Sequence, residues 1–91
     1  MHNYREIIAW KKSMDLAKNV YLITENFPQA EIFGLRAQMR RAAVSIPSNI
    51  AEGSRRMTDK DFRQFLCIAL GSASELETQL ELAIEIGRAH V

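Results

Sequence analysis

Between Thr58 and Gly87 apolar residues recur in a strict alternation of four and three, as Phe62, Leu66, Ala69, Ala73, Leu76, Leu80 and Ala83. Three heptads of this pattern draw one continuous seam along an α-helix, and such a seam is stable only when packed at a shallow angle on other helices. Phe65, Ile68, Leu82 and Ile86 widen the apolar face. Thr58 is the expected N-cap, with Asp59 and Asp61 in the first turn, where carboxylates favour the positive end of the helix dipole. Gly87 is the expected end, which makes the stretch from Thr58 to Ile86 about 43 Å long. In a chain of 91 residues a helix of that length leaves material for one core and no second domain.

Two further helices are predicted upstream. Ile7, Trp10, Met14, Ala17, Tyr21 and Thr24 form one stripe, and Leu16, Val20, Ile23 and Phe27 form a second beside it. So wide an apolar face needs more than one neighbour. This helix should run over about residues 4–26 and stop at Phe27-Pro28, because the residue before a proline is pushed out of helical geometry. The next, over about residues 31–53, turns Ile32, Leu35, Met39, Ala42 or Ala43, Ile46 and Ile50 inward. Pro47 interrupts it at a cost of about 3 kcal/mol in an ordinary helix interior. Since the apolar phase runs on from Met39 to Ile50, a kinked helix is expected, with Ser45, Asn49 or water satisfying the groups released. Gly53 suits a left-handed C-cap. No strand-like alternation occurs, so the expected fold is all-α: a single domain over residues 1–91, an antiparallel up-down bundle of the four-helix type with three long helices in this chain.

Composition narrows the function. Hydrophobic residues make up 47% and charged residues 25%, the balance of a globular protein, and twelve Lys and Arg against eleven Asp and Glu leave a net charge of +1. Whole-molecule charge therefore favours no partner class; only local patches can. Cys67 is the single cysteine, in an apolar run, and is read as a core thiol. His2 and His90 lie at opposite ends, and no His, Cys or acidic cluster has metal-ligand spacing, so no metal, no cofactor and no catalytic residue is expected. No segment is apolar over the roughly 18 residues a membrane span needs, and no secretory signal is present, which points to the cytoplasm.

Gly71-Ser72-Ala73-Ser74 places a glycine in mid-helix, where it costs about 1 kcal/mol relative to alanine; close approach of a neighbouring backbone is the expected reason. Glu77, Glu81 and Glu85, four apart, read as a solvated acidic face. The informative charge lies between residues 36 and 63. Arg36, Arg40, Arg41, Arg55, Arg56, Lys60 and Arg63 face only Glu52, Asp59 and Asp61. These seven are the candidate nucleic-acid-binding residues, because the planar guanidinium suits phosphate recognition, in one patch or two. The same arginines can instead pair with Glu52, Asp59, Glu75 or Glu77. No aromatic residues are interleaved with them in sequence, so single-strand base stacking has no support there.

The segment Phe27-Pro28, Glu31-Ile32-Phe33-Gly34-Leu35 and Gln38-Met39-Arg40-Arg41-Ala42-Ala43-Val44-Ser45-Ile46-Pro47-Ser48-Asn49-Ile50-Ala51-Glu52-Gly53 resembles the bacterial four-helix bundle proteins encoded in 23S rRNA intervening sequences. So does the run Phe65-Leu66, Ile68-Ala69, Gly71-Ser72-Ala73, Glu75-Leu76-Glu77-Thr78-Gln79-Leu80. The resemblance implies an up-down bundle, a homo-oligomer often built as a ring of five, and a distant likeness to the accessory variability protein of diversity-generating retroelements. That relative binds nucleic acid and its reverse transcriptase through a basic surface. Family members usually continue into a fourth helix, whereas this sequence reaches Gly87-Arg88-Ala89-His90-Val91 with Leu76, Leu80, Leu82, Ile84 and Ile86 still crowding the end of the third.

The function expected is a non-catalytic scaffold or adaptor that associates with itself and binds RNA, another nucleic acid or a nucleic-acid-processing protein through its arginines. Two alternatives stand beside it: a purely structural protein-protein module, and, last, an enzyme using Arg40, Glu52 or Ser45 near Pro47.

Overall fold

A computed structural model describes residues 2–89, apart from the side chains of Ile32 and Phe33; His90 lies outside the described residues. Asn3 accepts the Arg5 N–H on its Oδ1 at 3.1 Å and caps a 3-10 turn over Tyr4–Glu6. Ile7 then takes an extended conformation, so α1 spans Ile8–Thr24 rather than starting at Tyr4. The interruption turns Ile7 toward the core and sets Tyr4 edge-on to Trp10, with ring centroids 5.1 Å apart.

The chain does not enter the second helix directly. Glu31 donates its N–H to the Pro28 carbonyl at 2.8 Å, closing a 3-10 turn over Gln29–Glu31, and a π-helical turn over Ile32–Arg36 follows. Only then does α2 begin, at Ala37, later than the apolar pattern predicts because the tight turn after Pro28 is followed by a wide one. α2 runs through Pro47 to Ser54 without a break. Asn49 donates its Nδ2 to the Ser45 carbonyl at 2.7 Å and to Ser45 Oγ at 3.0 Å. α3 spans Asp59–Ala89, with Thr58 Oγ1 accepting the Asp61 N–H at 3.1 Å as the N-cap should. It passes through Gly87, which does not end it.

The three helices build a rod with extents of 50 × 19 × 19 Å, and α2 is its middle member. α2 packs on both α1 and α3, while α1 and α3 have at most a marginal contact with each other. Met39, Ala42, Ala43, Ile46 and Ile50 of α2 are buried against Val20 of α1 and Ala69 and Leu76 of α3. Small residues on α2 let its neighbours come close, and the larger side chains supply about 1.5 to 3 kcal/mol of burial each. At the ends, the last turn of α1 meets the first turn of α2 through Thr24 and Arg40. The last turn of α2 meets the first turns of α3 through Gly53, Phe62 and Phe65. The His2 N–H bonds the Ser54 carbonyl at 2.7 Å and ties the amino-terminal segment across that end.

Several sequence expectations need correction. Gly53 does not adopt a left-handed conformation and does not cap α2; it lies inside the helix, buried, where a Cβ would stand 2.6 Å from Phe65 Cβ. Gly71 has no neighbour at all within 4 Å of a Cβ position, so close backbone approach is not its reason. Ser72, beside it, makes the interhelical contact, 2.8 Å from Ser45 Oγ. Cys67 is exposed, not a core thiol, because it falls on the side of α3 turned away from α2. On α1 both stripes are only partly covered: Thr24 and Val20 are buried and Ile7, Trp10, Ala17 and Phe27 half-buried, but Met14 and Tyr21 of the first stripe and Leu16 and Ile23 of the second remain exposed.

Gly71 therefore weakens α3 without visible compensation. Gly71→Ala is expected to raise stability by about 0.5 to 1 kcal/mol, read as a thermal midpoint higher by about 2 to 8 °C. A lower midpoint would mean that another surface occupies the space beside Gly71.

Candidate nucleic-acid interface

The fold divides the seven candidate residues into groups. Arg40 turns toward α1: its Nε donates to Thr24 Oγ1 at 2.9 Å, its Nη2 to the Tyr21 carbonyl at 3.0 Å, and its guanidinium lies 4.4 Å from the Tyr21 ring centroid. Arg41, the next residue, turns toward α3, where Nη2 lies 3.2 Å from Glu75 Oε1, while Nε donates to Gln38 Oε1. Adjacent helical residues point about 100° apart, which is why one arginine staples each neighbour. Arg36 reaches the Glu25 carbonyl at 3.5 Å, a marginal distance, at the opposite end of α2 from Arg55. Some 28 Å of helix separates those two.

Arg55, Arg56, Lys60 and Arg63 come together where α2 ends and α3 begins, and all four are exposed. Arg56 pairs with Glu52 at 2.7 Å and lies 4.6 Å from the Phe65 ring centroid. Arg55 stands over the Tyr4 ring at 5.3 Å, and Arg5 stands over the same ring at 4.7 Å. Arg5 is thus a member of the cluster that sequence reasoning missed. Nothing in the sequence ties it to Arg55; only the amino-terminal 3-10 turn brings the two to one tyrosine.

The aromatic rings also change the picture drawn from sequence. Arginines and aromatics are not interleaved along the chain, yet the fold sets Arg5 and Arg55 on Tyr4, Arg40 on Tyr21 and Arg56 on Phe65. These rings face guanidinium groups, so they orient cations rather than offer bare platforms for bases. Tyr4 and Arg55 form one end of an open groove of about 780 Å³ between α1 and α2, whose walls include Trp10, Met14, Tyr21 and Val44.

The residues considered for catalysis do not converge. Ser45 is bonded to Ser72 and Asn49, Glu52 to Arg56, and Arg40 to Thr24. Among the described residues no group of three His, Cys, Asp or Glu side chains is placed to hold a metal ion. No described helix is long and apolar enough to cross a membrane.

Over the described residues, an all-helical fold of three α-helices, with a cluster of exposed cations where two of them meet, is the class that this geometry defines. The chain belongs to the 23S rRNA-intervening sequence protein family, whose sequence model matches residues 5–90. No curated protein matches it. The family is not known as an enzymatic one.

Proposed function

We propose that this chain is a non-catalytic cytoplasmic subunit of an antiparallel, four-helix-type bundle, a scaffold that associates with itself and binds RNA or another nucleic acid through its phosphates. The pairing of Thr24 with Arg40, and of Gly53 with Phe62 and Phe65, supports the antiparallel order. The observation that carries the nucleic-acid reading is the convergence of Arg5, Arg55, Arg56, Lys60 and Arg63 at one end. Two of these share one tyrosine ring, which restricts their side chains before any ligand arrives and lowers the entropy lost on binding. A nucleic-acid-processing protein fits the same end through acidic side chains.

Fluorescence anisotropy with a structured RNA at several salt concentrations tests the reading. Arg55→Glu with Arg56→Glu is expected to weaken binding at least about tenfold and to lower the salt slope by about one unit for each phosphate no longer neutralised. Arg36→Glu, at the far end of α2, should leave affinity nearly unchanged. Equal affinity in the double variant would remove the nucleic-acid reading.

A second reading, a purely structural interaction module, is favoured by Arg40, Arg41 and Arg56 being engaged within the chain. It expects no salt-dependent RNA binding by the unmodified protein.

A further inference from the structure

Apart from Met57 between α2 and α3, the most exposed large apolar side chains include two pairs on helices that α2 keeps apart. On α1, Ile8 and Leu22 are 69% and 61% exposed; on α3, Leu70 and Ile84 are 68% and 53% exposed. The members of each pair are two heptads apart, so each pair brackets a stripe about 21 Å long. Between Ile8 and Leu22, α1 carries Lys11, Lys12 and Lys18 against the single acid Asp15. Between Leu70 and Ile84, α3 carries Glu75, Glu77 and Glu81 and no cation. Lys11, Lys18, Glu77 and Glu81 take part in none of the ion pairs among the described residues.

The asymmetry extends along the chain. Residues 1–63 hold eleven Lys and Arg against seven Asp and Glu, and residues 64–91 hold one against four. Two stripes of equal length, apolar at their ends and opposite in charge between them, lie on helices that barely meet within one chain.

We infer that they meet between chains: the Ile8–Leu22 stripe of one copy docks on the Leu70–Ile84 stripe of a second. The inference rests on the self-associating reading above and assigns its surface. Apolar ends supply area and the lysine and glutamate rows supply attraction and selectivity. Because the two surfaces differ, the contact is heterologous. Each copy keeps one stripe of each kind free, so association proceeds until a ring closes or a filament grows.

Charge reversal on the full chain tests this by sedimentation over a hundredfold concentration range. The unmodified protein is expected to associate, more weakly as salt rises. Lys11→Glu with Lys18→Glu, or Glu77→Lys with Glu81→Lys, should each lower the association constant at least about tenfold. The four substitutions together should restore it, as should an equimolar mixture of the two double variants. All these sites are exposed, and unchanged helical content and melting under dissociating conditions would show that each variant folds. Double variants that associate like the unmodified protein, or a quadruple variant that stays dissociated, would overturn the docking and leave self-association standing. A monomeric unmodified protein at every concentration would overturn both.

Discussion

Gly53→Val is expected to destabilise the protein by about 3 kcal/mol or more and to lower its thermal midpoint by about 12 °C or more. The reason lies in which atoms collide. A Cβ at residue 53 would stand 2.6 Å from Phe65 Cβ, 3.0 Å from Phe62 Cδ1 and 3.3 Å from the Phe62 carbonyl oxygen. Phe65 Cβ and the Phe62 carbonyl are fixed to the backbone of α3, so no rotamer change relieves the contact, and α2 must move away from α3. Valine adds two methyl groups to the same crowded place. Alanine brings an opposing gain of about 1 kcal/mol in helix propensity, so Gly53→Ala should lose less than valine. Denaturant or thermal unfolding of both variants beside Gly71→Ala separates packing from propensity. Gly53→Val melting like the unmodified protein would mean that α2 and α3 do not pack together at Gly53.

The two glycines show where sequence stops being informative. Gly53 and Gly71 both sit within helical apolar patterns; the first invites a local explanation, a cap, and the second a tertiary one, the close approach of a neighbouring backbone. The space each needs depends on a helix packed across from it, so Gly53 is the close approach and Gly71 faces nothing. The α3 seam was legible in part because its heptads involve one helix alone: Ala69 and Leu76 are buried and Phe62, Ala73, Leu80 and Ala83 half-buried, but Leu66 is exposed because α2 covers only one side of the seam. α2 was legible for the same reason through Met39, Ile46 and Ile50. What stayed hidden was the lead-in through 3-10 and π turns before Ala37, and the exposed position of Cys67. The arginines follow the same division. Their number could be read, but the direction each points is fixed by neighbours, and Arg5 joins Arg55 only through the ring of Tyr4.

Arg40→Ala is expected to cost about 2 to 4 kcal/mol, a structural loss rather than a loss of nucleic-acid affinity. α1 is held almost wholly by α2, and Arg40 bridges the two helices. Its hydrogen bonds to Thr24 Oγ1 and the Tyr21 carbonyl are worth about 1.5 to 3 kcal/mol for a charged donor where water is excluded, and less where it is not. Its position over Tyr21 adds about 0.5 to 1 kcal/mol. Thr24 is fully buried, with its hydroxyl donating to the Val20 carbonyl at 2.6 Å and accepting from Arg40. Removing the guanidinium therefore strands an acceptor at the point where α1 ends. Arg40→Lys keeps the charge but not the fork, and should recover only part of the stability. A double-mutant cycle with Thr24→Val isolates the shared bond, with a coupling of about 1 kcal/mol or more expected. Arg55→Glu is the contrast: an exposed residue whose reversal should move the melting midpoint little and RNA affinity much. If Arg40→Ala left stability unchanged and weakened RNA binding as Arg55→Glu does, Arg40 would belong to the binding surface, and the division between stapling and binding arginines would fail.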